Sequence, residues 1–414
     1  MAASAHNVGS SHQAGLLAVG AGGVPALRFF LGGALLLSTA SQFRVGPAGL
    51  GEILGLMAII GAVGVSLRFL SPVARKLFLL FFLTWFAMGV GGLFSMASGL
   101  AEILPRDFIA IVYAQLVSWS VVAVADRDAR ALTTVLWVLA IFPLTQVAMF
   151  VLGTGLGVVD VWYGGDDGEL GIAFLNRFMG WSTNPNQLGI ALCALPFWLM
   201  FFLSKVKGFW GRGIVFIALL ATVAVALLVQ SNTVFVAWIA GTLAAAALLH
   251  RKYLIAQPGL IAVLTTLILI SAFFFLDELA SLLSKGEFDD YNGRAPLWVS
   301  ALASFAKSPL FGLGPGPHAD EGDGRGGFEA HSLFLDFATQ GGLVAVIMLG
   351  ILFVRSVVAA IEIRSVLVLG AVIATFIECL AHNTQRHPMY WVYLVLPLVL
   401  KSIGDRDAGQ TGRR

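Results

Sequence analysis

Apolar segments, each about as long as a membrane-spanning helix, recur along the whole chain. A helix needs about 20 such residues to cross roughly 30 Å of hydrocarbon. Charged residues make up only 12% of the chain, too few to cover the surface of a soluble fold. The sequence therefore predicts an all-α integral membrane protein with about twelve transmembrane helices, near residues 24–42, 46–67, 77–98, 104–125, 131–153, 184–203, 212–230, 233–250, 257–277, 331–354, 363–381 and 389–403.

The positions of Lys and Arg predict the orientation of these spans. With the N-terminus in the cytoplasm, the inner loops and tail hold sixteen of the 25 basic residues and the outer loops hold eight. Arg28 lies within the first span. Because basic residues accumulate in cytoplasmic loops, both termini are predicted to be cytoplasmic. Residues 1–23 and 404–414 would then be tails, and residues 24–403 would form the membrane domain of a multi-pass inner-membrane protein.

Two long outer loops, about residues 154–183 and 278–330, precede the sixth and tenth spans. Long loops in a compact protein usually carry function, so the site is predicted on the outer face. Ionisable residues within spans also lie near the outer ends. These residues are Glu52, Asp107, Asp336 and Glu378. They indicate either a cavity that opens outward or simple capping of helix ends.

The first motif ends one outer loop and begins the sixth span, with the sequence Asn-Arg-Phe-Met-Gly-Trp-Ser-Thr-Asn-Pro-Asn-Gln-Leu-Gly over residues 176–189. Thr183 or Asn184 suits a helix N-cap, with Pro185 at the first helical position. Arg177 is not explained by capping. A guanidinium beside the free N–H groups of a helix start makes a site suited to an anion such as phosphate.

Two further motifs frame the end of the second outer loop. Arg294-Ala-Pro-Leu-Trp298 opens a segment with the apolar spacing of an interfacial helix, for which Arg294 could also be a simple anchor. A Gly- and Pro-rich turn follows over residues 308–316. Phe-Glu-Ala-His-Ser-Leu-Phe-Leu-Asp over residues 328–336 then places His331 at the outer start of a span. A neutral imidazole can accept a proton from a hydroxyl near neutral pH.

The combination resembles the O-antigen ligase / O-antigen polymerase superfamily over roughly residues 170–345. The motifs that carry the resemblance are the arginine before Pro-Asn, Arg-x-x-Leu-Trp, Ser-Pro-Leu-Phe-Gly-x-Gly, and Ala-His-Ser-x-x-Leu followed by Gly341-Gly342. It implies a metal-independent glycosyltransferase without a cofactor, acting on the periplasmic face. Such an enzyme moves a glycan from undecaprenyl diphosphate to an acceptor hydroxyl. The resemblance implies His331 as the general base, with Arg177 and Arg294 holding the diphosphate.

Supporting roles are predicted for a second set of residues near the outer face, namely Asn184, Asn186, Asp336, Arg386 and His382. His382 also competes with His331 for the role of base, as do His318 and His387, and the flanking motif favours His331. The chain departs from the family pattern at two positions: Ser332 follows the histidine where Asn is common, and Asn232 follows Ser231 where many members have Arg.

Several alternatives stay open at the level of sequence. The acceptor would be lipid A-core for a ligase, or a growing O-antigen or exopolysaccharide chain for a polymerase. The acidic outer loop slightly favours the polymerase, because it would repel an anionic lipid A-core. The rival interpretations are a transporter or flippase of lipid-linked glycans and a binding protein of the polysaccharide export machinery. A net charge of +2 implies no nucleic-acid partner. Cys193 and Cys379, both in apolar runs, are predicted to be buried apolar side chains rather than a disulfide or metal pair.

Overall fold

The computed structural model describes residues 25–40, 44–45, 48–66, 70–100, 104–157, 161–163, 177–182, 184–250, 294–319 and 328–411. The predicted tail 1–23, the predicted span near 257–277, most of the first long outer loop, and residues 278–293 and 320–327 of the second lie outside these ranges.

Helices make up nearly all of the described chain. They are α1 (Pro25–Leu36), α2 (Leu50–Ser66), α3 (Pro72–Ser98), α4 (Pro105–Ala125), α5 (Arg130–Phe150), α6 (Pro185–Leu192), α7 (Leu195–Lys205), α8 (Phe209–Val229), α9 (Asn232–Leu249), α10 (Arg294–Lys307), α11 (Leu333–Glu362), α12 (Val366–Ala381) and α13 (Pro388–Thr411). Helix α5 continues into a π-helical turn, Val151–Gly155. Two short antiparallel pairs are also present: β1 (Arg44–Val45) with β2 (Ala48–Gly49), and β3 (Trp162–Tyr163) with β4 (Arg177–Phe178).

The multi-pass, all-α membrane architecture is confirmed. Seven helical segments of the described chain are long and apolar enough to cross a bilayer, and α1, α2 and α12 are shorter apolar helices. Large apolar side chains on the rim face outward, as lipid contact requires: Leu227 on α8 is 61% exposed and Leu243 on α9 is 64% exposed. The count of twelve spans and the location of the termini remain predictions.

Helix starts follow local sequence rules. Ser71 caps α3 by accepting a hydrogen bond from the Ala74 N–H (3.1 Å), and Pro72 occupies the first helical position. This cap begins α3 five residues before the predicted boundary at 77. Conversely, α13 continues past the predicted span end at 403 to Thr411. Arg28, the basic residue predicted inside the first span, has an ionic partner in Asp128, at 3.4 Å.

Helices α3, α4, α13 and α11 pack against one another in turn. Trp391 of α13 lies there between Phe81 of α3 and Phe337 of α11, with ring centroids 5.6 and 5.9 Å away. All three aromatic side chains are almost fully buried. Burial of such large rings contributes much of the packing energy of a core, so this contact fixes α11 against the rest of the bundle.

Helix α11 is interrupted at Gly342, where φ is 64° and ψ is −162°. The break lies nine residues into the helix, roughly 14 Å from its start. Irregular backbone at such depth must be bonded by protein, because lipid offers no hydrogen-bond partner. The segment 309–314 supplies the bonds. The N–H groups of Leu313 and Gly314 donate to the carbonyls of Thr339 (2.7 Å) and Gln340 (2.9 Å), and those of Leu343 and Val344 donate to the carbonyls of Pro309 (2.8 Å) and Leu310 (3.3 Å).

Glycines on α3 and α11 allow this segment to insert. A Cβ placed on Gly91 of α3 would lie 2.2 Å from the carbonyl oxygen of Phe311. A Cβ on Gly342 would lie 2.3 Å from the carbonyl of Leu310. Side chains at either position would exclude the inserted backbone. The Gly- and Pro-rich turn singled out in the sequence is therefore a plug between α3 and α11, in which residues 312–316 are buried and Pro309 and Leu310 are exposed.

Candidate functional site

His331 lies on a tight turn directly before α11. Its backbone is left-handed, with φ at 51°, and its side chain is exposed. Ser332 takes the N-cap position, so α11 begins two residues after the histidine rather than at it. A left-handed conformation is uncommon for a residue with a side chain and persists only where the surroundings hold it.

The residue before His331 is held from two sides. The N–H of Ala330 donates to Oδ1 of Asp336 (2.9 Å), and its carbonyl accepts from the indole N–H of Trp298 (2.9 Å). Ala330 and Asp336 are almost fully buried. We call this arrangement of Trp298, Ala330 and Asp336 the turn clamp. It anchors the backbone beside His331 while leaving the imidazole at the surface.

Helix α10 delivers Trp298 to the turn clamp. The helix begins at Arg294, as the sequence predicted, and Trp298 lies one turn later, about 6 Å along the axis. Leu297 and Ala301 pack with Ala330 in a small buried cluster of their own. The start of α10, where Arg294 is predicted to bind phosphate, and the turn that carries His331, the predicted base, therefore belong to one locally packed unit.

Arg386 connects this unit to the helix bundle. Its guanidinium pairs with Asp107 at the start of α4 (3.2 Å) and with Glu329, two residues before His331. Burial lowers the pKa of the Arg386 guanidinium, and neighbouring Asp107 partly opposes this shift. With a carboxylate on each side, Arg386 ties the segment before His331 to α4 and to the loop between α12 and α13.

Arg177 lies on β4 and bonds to two other elements. Its Nε donates to the carbonyl of Val229, the last residue of α8 (3.0 Å), and its Nη2 donates to Oδ1 of Asn186 in α6 (3.1 Å). Asn184 is the N-cap of α6 and accepts from the Asn186 N–H (2.8 Å), so the predicted capping role is confirmed for Asn184 rather than Thr183. The guanidinium is therefore oriented beside a helix N-terminus.

The four outer histidines differ in exposure, and this separates them. His382 is 4% exposed and its Nδ1 lies 2.8 Å from Glu378. His318 is half-buried, its Nε2 lies 2.7 Å from the Gly314 carbonyl, and burial lowers its pKa. His387 is buried, which lowers its pKa to about 4. Of these four, only His331 is exposed, so it is the one that an acceptor hydroxyl can approach.

The carboxylates predicted near the outer helix ends all have neighbours in the structure. Glu52 accepts a hydrogen bond from the Gly49 N–H (2.8 Å), and Asp336 accepts one from the Ala330 N–H. Asp107 pairs with Arg386, and Glu378 pairs with His382. Glu52 and Asp336 thus follow the capping alternative.

Cys193 and Cys379 are buried and free, as predicted. In the described ranges no group of three or more His, Cys, Asp or Glu side chains is placed to hold a metal ion.

The sequence did not identify the turn clamp or the partners of Arg386. Trp298 belongs to the Arg-x-x-Leu-Trp motif, but its sequence context predicts no particular role for it, and no sequence pattern predicts a partner for Glu329. The available signal was the spacing between Ala330 and Asp336: a carboxylate in the first turn of a helix commonly accepts from backbone N–H groups just before it. The partner of Trp298 carries no comparable local signal, because it lies 32 residues away.

His387 leads to a prediction about acid stability. Because its pKa in the folded protein is about 4, against 6.5 for the free side chain, the unfolded chain binds the proton first as pH falls. The stability it contributes is therefore complete above about pH 6.5 and is lost towards pH 4, by up to about 3 kcal/mol. His387→Gln should show a smaller drop in unfolding temperature across this window. His250→Gln, at an exposed histidine after α9, should behave as wild type; equal pH profiles for the two variants would contradict the prediction.

Comparison with known proteins points to one family. The family model described as O-antigen ligase matches residues 214–350, from α8 through α10 and the turn clamp to the middle of α11. Arg294 and His331 lie inside the matched segment, and Arg177 lies before it. No curated protein matches the chain. The resemblance to the O-antigen ligase / polymerase superfamily, first seen in the motifs, is thereby confirmed.

Proposed function

We propose that this relative of the O-antigen ligases is an inner-membrane glycosyltransferase. It transfers a glycan from undecaprenyl diphosphate to a sugar hydroxyl of an acceptor on the periplasmic face. The observation that carries the proposal is the exposure of His331 on a rigidly held turn, inside the segment that matches the family. A base that must meet a bulky acceptor has to be both accessible and fixed in position.

In the proposed reaction, the imidazole of His331 accepts the proton of the acceptor hydroxyl. The hydroxyl oxygen attacks the anomeric carbon of the donor glycan as the bond from that carbon to the diphosphate oxygen breaks. Undecaprenyl diphosphate leaves with the bonding electron pair and gains negative charge. Arg177 and Arg294 stabilise that charge, which is the role a divalent cation would otherwise fill.

The structure supports the assignment of Arg177 through preorganisation. Its guanidinium is oriented by Val229 and Asn186 and lies beside the N-terminus of α6, where backbone N–H groups also favour an anion. Charge-assisted hydrogen bonds of this kind need no reorganisation when the leaving group develops its charge. Asn184 and Asn186 support the site by shaping the helix start and orienting the guanidinium.

Arg386 and His382, both predicted as supporting residues, are proposed to act through structure. Arg386 holds the segment before His331 through Glu329 and Asp107. His382 is paired with Glu378 inside the bundle. Neither geometry requires contact with the donor.

The test is a reconstituted transfer reaction. The purified protein receives a lipid-linked repeat unit together with either lipid A-core or a second lipid-linked repeat unit, and release of undecaprenyl diphosphate is measured alongside the glycan product. Transfer to lipid A-core would identify a ligase, and chain extension would identify a polymerase. Movement of glycan-lipid across a liposome membrane without release of undecaprenyl diphosphate would show that the protein is a transporter and not a glycosyltransferase.

The turn clamp makes its own prediction in this assay. Asp336→Ala removes the acceptor for the buried Ala330 N–H, and we expect turnover to fall by about tenfold because one hydrogen bond to a buried group contributes about 1–3 kcal/mol. Asp336→Asn keeps an oxygen that can accept the same bond and should retain most of the activity. The effect should fall on kcat rather than on KM. Equal losses in the two variants would show that the charge of Asp336, not its hydrogen bond, matters.

A further inference from the structure

A groove lies at the end of the bundle opposite the turn clamp, between α3, α11 and α13. Its volume is about 290 Å³, many times what a single water needs. The floor includes Leu77 and Ala359, each 1% exposed, and the wall includes Val354 and Val358 of α11, which are 63% and 46% exposed. An apolar cleft between membrane helices suits a hydrocarbon chain.

The mouth of the groove carries an excess of positive charge. Three cations and two carboxylates line it: Lys76, Arg355, Lys401, Glu362 and Asp405. Lys401 is already paired with both carboxylates, at 2.7 Å from Glu362 and 3.3 Å from Asp405. Within the part of the chain that the structure describes, the side chains of Lys76 and Arg355 form no ion pair or hydrogen bond. The groove therefore carries a net charge of +1, and its two cations without an ion-pair partner among the described residues, Lys76 and Arg355, lie beside its apolar wall.

Arg355 has no ion-pair or hydrogen-bond partner among the described residues. It is seven residues before the end of α11, about 10 Å along the helix axis, and it is half-buried. A half-buried charge is costly unless something neutralises it. The positive-inside rule assigns this end of the bundle to the cytoplasm, where anionic lipid headgroups occupy the membrane surface.

We propose that this groove binds one anionic phospholipid of the inner leaflet. The phosphate lies between Lys76 and Arg355, and an acyl chain packs along Leu77, Val354 and Val358. Residues 1–24 contain no Asp or Glu, so they offer no carboxylate to neutralise Lys76 and Arg355. The phosphate of the lipid neutralises the positive charge of the groove, and its acyl chain covers the apolar wall.

The experiment measures lipid retention by the purified full-length chain. The protein is offered equal amounts of phosphatidylglycerol and phosphatidylcholine with identical acyl chains, and bound lipid is counted by native mass spectrometry. Wild type should retain phosphatidylglycerol preferentially, and inorganic phosphate should not displace it. The Lys76→Gln/Arg355→Gln double variant should lose retention by about tenfold or more, since each basic residue near a membrane surface contributes substantially to anionic-lipid binding.

Arg75→Gln is the matched control, because Arg75 is the exposed neighbour of Lys76 on α3 and does not line the groove. It should retain phosphatidylglycerol as wild type does. Val358→Trp fills the groove without touching a charge and should also reduce retention. Equal retention of the two lipids by wild type would overturn the proposal. So would a double variant that matches Arg75→Gln, or retention that appears only after residues 1–20 are removed.

Discussion

Replacing His331 with asparagine is expected to lower the rate of glycan transfer by a factor of about 10² to 10⁴, the usual contribution of a positioned general base. Asparagine tolerates the left-handed backbone that His331 adopts, so the turn should keep its shape. The amide cannot accept the proton of the acceptor hydroxyl. The loss should appear in release of undecaprenyl diphosphate and in the glycan product alike, while the unfolding temperature stays at the wild-type value.

Two further variants make this result interpretable. His331→Gly also tolerates the backbone and should be as inactive as His331→Asn, whereas an active glycine variant would mean that only the turn shape matters. His250→Asn changes an exposed histidine outside the site and should transfer glycan normally. If His331→Asn kept full activity, a base elsewhere would be required. His382 would then be the first candidate, because it lies beside a buried carboxylate.

Replacing Gly342 with alanine is expected to have the largest effect on stability, a loss of about 3–5 kcal/mol or more. Two costs combine at this position. The backbone is left-handed, with φ at 64°, and a Cβ would lie 2.3 Å from the carbonyl carbon and oxygen of Leu310. Because the obstacle is backbone, no side-chain rotation can relieve it. The segment 309–314 would have to leave α11, exposing four backbone hydrogen bonds inside the membrane.

Gly350 provides the control for that substitution. It lies on the same helix, and a Cβ there would meet nothing within 4 Å. Gly350→Ala should therefore be neutral or slightly stabilising, by up to about 1 kcal/mol, because alanine is the better helix former. Thermal unfolding in detergent and the monodisperse fraction on size exclusion measure both variants. A Gly342→Ala protein as stable as Gly350→Ala would show that α11 is not interrupted as described.

The interruption of α11 also bears on catalysis. The segment that fills the break leads through His318 and Ala319 towards Phe328, and the backbones of Ala319 and Phe328 are paired in a β-bridge. Ala330 follows two residues later and is bonded to Trp298. The break therefore anchors the segment that follows α10 against the bundle. Partial loosening of the plug should reduce glycan transfer before it unfolds the protein.

Much of this arrangement was predictable from sequence. The position of most helices follows from runs of apolar residues, because hydrocarbon forces each crossing segment to satisfy its own backbone. The start of α6 followed from Asn184 and Pro185, and the start of α10 from the spacing after Arg294. His331 and the two arginines were identified through motifs. These features are local or compositional, so neighbouring residues are enough to specify them.

The sequence by itself thus determined the membrane class, the helices and the identity of the candidate residues. Only the tertiary structure decided that Gly341-Gly342 marks a break filled by residues 309–314, that Arg386 is neutralised by Asp107 and Glu329, and that His331 is the accessible histidine of the four. Each of these depends on contacts between segments far apart in the chain. Such contacts arise from the packing of whole helices, and no local pattern of residues specifies which backbone groups will meet.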